Sequence, residues 1–276
     1  MGLLDGKVAL ISGVARGQGR SHAVRMAKEG ADIIGFDICA NIESVPYPLA
    51  TPADLDETAR LIEMHGRRAS LHRADVRDLD AVTRLVQGGV DEFGRLDIVL
   101  ANAGIMPIVG AESRTIPAFH DAVEVMLSGV FNTVYAALPH LQASGRGGAV
   151  VITSSSAGLR GMGDETPGSL GYVAAKHGVV GLMRAWANVY AKDNIRFNTV
   201  HPTGVNTPMI DNDAFRDHIQ AHPEIIDNIQ NPLWIPEAGT LDANDVTDLV
   251  LHLASDAAKY STGGTFTVDA GFTNKV

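Results

Sequence analysis

From one end of the chain to the other, short continuous apolar runs alternate with longer amphipathic stretches. The runs are Val8–Ser12, Asp32–Asp37, Ala69–Asp75, Asp97–Ala101, Ala149–Ser154, Arg196–Val200 and Thr265–Val268. Helical spacing of apolar residues follows the first run through about Glu29, then recurs over Leu79–Phe93, Ala118–Ser144, Tyr172–Ala191 and Ala243–Ser255. A strand that is apolar at nearly every position is covered on both faces, and parallel strands joined by helical crossovers supply that cover. The pattern predicts an α/β fold with a doubly wound parallel sheet of about seven strands and helices on both faces. No repeat, low-complexity tract or long linker interrupts it, so residues 1–276 read as one domain.

Composition narrows the function classes. Of 276 residues, 45% are hydrophobic and 20% charged, enough for a large core. No run of about 18 uninterrupted apolar residues marks a membrane span. The opening Met-Gly-Leu-Leu-Asp-Gly-Lys has no basic region before an apolar stretch, as a secretory signal would, and Gly6 stands where a myristoylation motif needs Ser or Thr. A single cysteine, Cys39, makes neither an internal disulfide nor a thiolate metal site. The formal charge of −10 opposes phosphate-backbone binding. The expectation is a soluble cytoplasmic protein that binds no metal, nucleic acid or membrane.

Ser12-Gly13-Val14-Ala15-Arg16-Gly17-Gln18-Gly19 lies where the first strand turns into the first helix. Glycines there permit a tight turn and let a pyrophosphate approach the helix N-terminus, where free amides and the helix dipole favour anions. Asp37 follows 18 residues after Gly19, at the end of the second strand. A carboxylate there bonds the ribose hydroxyls of NAD and repels the 2′-phosphate of NADP. Arg16 would favour that phosphate, but Asp37 sits at the strand end that defines the ribose contact. NAD is therefore the expected cofactor, with Arg16 solvated or paired locally. The expected architecture is Rossmann-type.

Tyr172 and Lys176, four apart in Gly-Tyr-Val-Ala-Ala-Lys, share one face of a helix. An ammonium beside a phenol favours the phenolate and lowers its pKa toward the working pH, giving a general base for an alcohol proton. Upstream, Ser154, Ser155 and Ser156 form a cluster at a strand end.

Gly-x-x-x-Gly-x-Gly, Asp75-Val76, Asn102-Ala103-Gly104, the serine cluster, Tyr-x-x-x-Lys and Pro202-Thr-Gly-Val together resemble the short-chain dehydrogenase/reductase family over essentially the whole chain. The resemblance implies a catalytic set of Ser155, Tyr172 and Lys176. Ser155 fits the Ser-x-x-Gly pattern, with Ser154 as the alternative. It further implies that Asp75 and Val76 flank the adenine, Asn102 anchors the fourth strand, and Val205 and Thr207 reach the nicotinamide carboxamide. Gly13, Arg16, Gly17, Gln18, Gly19, Asp37, Ile38, Ala103, Gly104, Tyr172, Lys176, Pro202 and Met209 complete the implied cofactor contacts. The implied reaction is hydride transfer between a secondary alcohol or ketone and NAD. An NADP-linked ketone or ketoacyl reductase and a catalytically silent NAD-binding protein are the rivals.

One departure and two excursions mark this chain. Met126 stands in Val-Met-Leu-Ser-Gly-Val where the family commonly has an asparagine that helps fix a proton-relay water. Methionine makes no comparable hydrogen bond, so proton release is expected to be impaired while hydride transfer survives. Residues 38–55 form an insertion whose Pro46, Pro48 and Pro52 argue against helix or central strand, placed to cover the adenosine half of the cofactor. Residues 207–240 hold an apolar lid with Ile210, Phe215, Ile225, Ile226, Ile229, Leu233, Trp234 and Ile235, suited to a small apolar, carveol- or terpenoid-like substrate. His218 and His222 within it read as a solvated helix face.

With Thr51-Pro-x-Asp-Leu, Arg67-Arg68 and Val200-His-Pro-Thr-Gly-Val-x-Thr-Pro-Met209, the insertion resembles the mycofactocin-dependent subgroup, which includes carveol dehydrogenases. That likeness implies tightly held NAD re-oxidised by a separate peptide-derived carrier. The helices over 118–144 and 172–191 resemble the family's subunit contacts and imply a homotetramer.

Overall fold

A computed structural model of the chain describes residues 2–233, 235 and 239–275, with side chains omitted at 227 and 228. The strands are β1 (Val8–Ser12), β2 (Asp32–Asp37), β3 (Ala69–Arg73), β4 (Ile98–Ala101), β5 (Gly148–Thr153), β6 (Ile195–Pro202) and β7 (Thr265–Val268). They pair in parallel in the order β3-β2-β1-β4-β5-β6-β7. The helices are α1 (Gly17–Lys28), α2 (Pro52–Glu63), α3 (Leu79–Phe93), α4 (Ile116–Val123), α5 (Gly129–Ser144), α6 (Pro167–Val189), α7 (Asp213–Ala221), α8 (Ile226–Ile229) and α9 (Ala243–Ala254). The Rossmann-type doubly wound sheet expected from the alternating pattern is the fold observed.

Alternation of side chains along each strand feeds two separate cores. Leu10, Ile34, Val99 and Val150 belong to one core, with α3, α5 and α6. Their neighbours Ile11, Ile33, Leu100 and Val151 belong to the other, with α1 and α9. Strand order reverses between β1 and β4, which opens a crevice at the carboxyl ends of those strands.

Local chemistry sets the boundaries. Pro52 does not break a helix; it opens α2 at a first-turn position, where a missing N–H costs nothing. Thr51 and Asp54 cap that end reciprocally, so the insertion stops at residue 51 rather than 55. Likewise α6 starts five residues before Tyr172, because Thr166 accepts from the Ser169 amide and Pro167 fills the next position. A π turn at Glu124–Ser128 joins α4 to α5. The stretch Ile116–Ser144 is long and apolar enough to cross a membrane, yet 56% of its most apolar window is buried within this fold. It serves as a core helix.

Two fully buried histidines make the fold acid-sensitive. His22 bonds Thr247 through Nδ1 (2.7 Å), and its Nε2 has no partner among the described residues. Burial pushes its pKa down to about 3, and that of His201 down to about 4. Both folded values lie below the unfolded 6.5, so the unfolded chain takes up protons first. Their contribution is fully present above pH 6.5 and is lost as pH falls toward 4. The loss is roughly 1.4 kcal/mol per pH unit for each histidine. Asp37, whose pKa burial raises, acts in the opposite sense at the acid end. Urea midpoints at pH 7, 6 and 5 are expected to fall steadily. A midpoint that holds constant to pH 5 contradicts this.

Candidate active site

The carboxyl ends of β1, β2, β4 and β5 open onto one cleft of about 1080 Å³, counting its open mouth. Gly13 has φ +68°, and a Cβ there would lie 2.8 Å from the Ala103 backbone. At Gly19 a Cβ would lie 1.9 Å from the Gly13 carbonyl oxygen, so the turn closes only without side chains. Asn102 locks three strand ends together. Its amide N–H donates to Ser12 Oγ (3.1 Å), its Nδ2 to the Ser12 carbonyl (3.2 Å), and its Oδ1 accepts from Thr153 Oγ1 (3.2 Å).

Asp37 faces the glycine turn. Its carboxylate accepts from the Ala15 and Cys39 amides at 3.1 and 3.2 Å. Burial raises its pKa, while those two bonds and the Arg16 charge pull it back. Arg16 donates to the Pro48 carbonyl at 2.6 Å and so pairs locally with the insertion. Asp75 is gripped by Arg77, which also reaches Asp121 on α4 (3.0 Å).

The insertion is buried against this cleft. Ile42, Tyr47, Leu49 and Ala50 line it, a contribution from the segment that residue patterns do not single out. The Tyr47 hydroxyl accepts from the Met106 amide (3.0 Å), Ser44 donates to Asp121 (2.7 Å), and the Leu49 amide donates to Asn41 (2.9 Å). Pro46 and Pro48 flank Tyr47 and hold it extended, which is the available sequence signal.

At this end of the molecule, Ser154 and Ser155 have separate roles. Ser154 is buried and donates to the Lys176 carbonyl (2.8 Å), tying β5 to α6. The Ser155 hydroxyl lies beside the Tyr172 phenol, whose pKa it pulls down, and accepts from the Ala157 amide (3.1 Å). Its influence on the phenol favours Ser155 over Ser154 as the partner of Tyr172, although Ser154 is the serine that borders the cleft. Lys176 donates to the Thr153 carbonyl (2.9 Å), with its ammonium 5.8 Å from the Tyr172 ring centre.

The expected drop in the Tyr172 pKa is not what the structure gives. Both groups are buried, so desolvation dominates: the phenol moves up, and the ammonium moves down to about 8. The Ser155 bond, not the lysine, is what pulls the phenol back.

Met126 sits in the π turn, buried, with its side chain 3.7 Å from where a Cβ on Gly104 would lie. π turns of this kind often mark functional positions inside helices. Gly13, Arg16, Gly17, Gln18, Gly19, Asp37, Ile38, Asp75, Val76, Asn102, Ala103, Gly104, Tyr172, Lys176, Thr207 and Met209 all border the cleft. Ser155, Pro202 and Val205 do not; Val205 is buried and bridges to Leu241. In the lid, Ile226, Ile229 and Leu233 are exposed, and Trp234 lies outside the described residues. His218 and His222 stack with ring centres 4.9 Å apart, and among the described residues no cluster of three metal-ligating side chains occurs.

Residues 13–273 match the family model described as enoyl-(acyl carrier protein) reductase. The chain belongs to the short-chain dehydrogenase/reductase family. The (-)-trans-carveol dehydrogenase of Rhodococcus erythropolis is 44% identical over the full length of both chains. The cyclohexanol dehydrogenase of an Acinetobacter strain is 34% identical, covering 98% of this chain and 96% of that one. The solved carveol dehydrogenase of Mycobacterium avium, in complex with NAD, superposes with a TM-score of 0.91 at 43% identity, covering both chains completely. That relative's structure contains NAD.

Proposed function

We propose that the chain is an NAD-dependent secondary-alcohol dehydrogenase acting on a small apolar alcohol of the carveol or cyclohexanol kind. The observation that carries this is Tyr172 with buried Lys176 beside it in the cleft that also holds Asp37, with Ser155 next to the phenol. The residues fit NAD: the glycine turn would be filled by any Cβ, and Asp37 presents a carboxylate held by two backbone amides. When bound, NAD supplies the hydride acceptor at its nicotinamide ring.

The chain's own groups do the rest. Ser155 and Tyr172 hold the substrate oxygen, the deprotonated form of Tyr172 takes the hydroxyl proton, and Lys176, anchored by donating to the Thr153 carbonyl, keeps a positive charge beside the phenol. Asp37 bonds the adenosine ribose, while Asp75 and Val76 border the adenine. Arg16, already bonded to Pro48, is poorly placed to receive a 2′-phosphate, which weighs against an NADP-linked reductase. Met126 favours one second reading, an NAD-binding protein with slow or absent turnover.

The insertion over 38–51 is a cover that retains NAD, consistent with re-oxidation by an external carrier of the mycofactocin type. Exposed Phe131 and Tyr135 on α5, with Leu170 and Val189 on α6, offer apolar surface for a homotetramer. The protein acts in the cytoplasm as one domain with its lid over 207–240.

Mass spectrometry of nucleotide released from desalted, denatured protein tests the reading, together with carveol or cyclohexanol oxidation using an artificial acceptor. About one NAD per chain is expected, in the range that a kinetically trapped ligand gives. Empty protein that turns over added NAD removes the retention cover. NADP in the released fraction overturns the role of Asp37, and bound NAD without turnover supports the silent reading.

A further inference from the structure

His201 is fully buried near the carboxyl end of β6, and both of its ring nitrogens are engaged. Nδ1 lies 2.8 Å from the carbonyl oxygen of Ser155, and Nε2 lies 2.8 Å from Thr199 Oγ1. A carbonyl oxygen only accepts, so Nδ1 carries the proton. The ring is neutral, so Nε2 accepts in turn from the Thr199 hydroxyl. The competing acceptor for that hydroxyl, the Gly264 carbonyl, is 3.5 Å away and is a weaker partner. One tautomer is therefore fixed by its neighbours.

We propose that His201 is a positioning residue for the reaction: its Nδ1–H, held in place by Thr199, fixes the Ser155 carbonyl and thereby aims the Ser155 hydroxyl at Tyr172. This rests on the role proposed above for Ser155. The rest of the local geometry is consistent with it. The Ser155 carbonyl also accepts from the Gly158 amide (2.9 Å), while its hydroxyl accepts from the Ala157 amide (3.1 Å). Those two ties come from the turn that follows Ser155 itself. His201 adds a tie from β6, so the serine is fixed relative to the sheet and not merely within its own turn. Burial, helped by the Lys176 and His177 charges on α6, disfavours a charge on the ring and outweighs the Ser155 carbonyl bond and Asp269 beyond β7, which favour one, so the imidazole stays neutral.

Three variants test the proposal: His201→Ala, which removes the donor; His201→Asn, which places an amide N–H near the Nδ1 position; and Thr199→Val, which keeps the ring but frees its tautomer. The first readout is the phenolate absorbance of Tyr172, taken as the difference from the same background carrying Tyr172→Phe, and it needs no substrate. The Ser155 bond pulls the phenol pKa down, so His201→Ala is expected to move that titration up by about one pH unit. The second readout is alcohol oxidation, where kcat is expected to drop about tenfold with KM changed less than about twofold. His201→Asn is expected to recover most of both effects, and Thr199→Val to shift both the same way by less.

A folded His201→Ala or Thr199→Val protein with an unshifted Tyr172 titration and wild-type kcat overturns the proposal. So does His201→Asn if it matches His201→Ala in both readouts. Should His201→Ala fail to fold, the other two variants decide. A wild-type protein inactive on every alcohol tried counts against the proposed function, while the phenolate titration still judges His201.

Discussion

Tyr172→Phe is expected to lower kcat for alcohol oxidation by about 10²–10⁴-fold, the range for losing a positioned general acid–base. The effect should be nearly pure chemistry. The phenyl ring keeps the packing of the α6 face, and only the hydroxyl that bonds Ser155 is removed. Ser155 retains the Ala157 amide as a donor, so no buried group is stranded. The folding cost is therefore on the order of 1 kcal/mol. NAD content of the purified variant should equal that of the wild type, because the cradle at Gly13–Gly19 and Asp37 is untouched. Initial rates and nucleotide stoichiometry, measured side by side, check both halves. A variant retaining more than a tenth of the wild-type rate rules out Tyr172 as the proton acceptor.

What could be read from the residues, and what could not, divides along the range of the interaction. The need for glycine at Gly13 and Gly19 is local: one turn demands φ +68° and the other a backbone contact, and both show as letters in the sequence. Continuous apolar runs likewise announce buried parallel strands, so the sheet was legible nearly to the residue. The choice between Ser154 and Ser155 was less so. It depends on α6, whose Lys176 carbonyl takes the Ser154 hydroxyl across 22 positions.

The direction of the Tyr172 pKa was misread for a related reason. A Tyr-x-x-x-Lys spacing shows that a cation is near, but not that both groups have lost their water. Desolvation outweighs the attraction, and its size is a property of the packed site. Pro52 was misread in the opposite way: taken as a breaker, it is a helix starter, and only Thr51 and Asp54 reveal which. The π turn at Glu124–Ser128 leaves no mark on helical spacing, and Tyr47 reaches Met106 across 59 positions.

Asp37→Asn is expected to lower the preference for NAD over NADP by at least about 10²-fold. Two effects act together. A carboxylate bonding ribose hydroxyls contributes roughly 1.5–3 kcal/mol per bond, and the neutral amide contributes less. Against NADP, the carboxylate opposes a phosphate; near a protein surface, unit charges about 4 Å apart interact by about 4 kcal/mol, and the amide removes that repulsion. Affinity for NAD thus falls while affinity for NADP rises. The change is larger than at an exposed acid, because Asp37 is held in place by the Ala15 and Cys39 amides and has no freedom to swing away from the ribose. The Ala15 and Cys39 amides bond different carboxylate oxygens, so Asn keeps an acceptor for only one of them and loosens the other tie. Titration of nucleotide-stripped protein with each dinucleotide measures the ratio directly, and an unchanged ratio removes Asp37 as the selector. The wild type should show the same trend with acid. Burial raises the Asp37 pKa, so lowering the pH protonates this carboxylate before exposed ones and weakens NAD preference in the direction of the Asn variant. The variant itself, having no charge to lose, should show no such dependence.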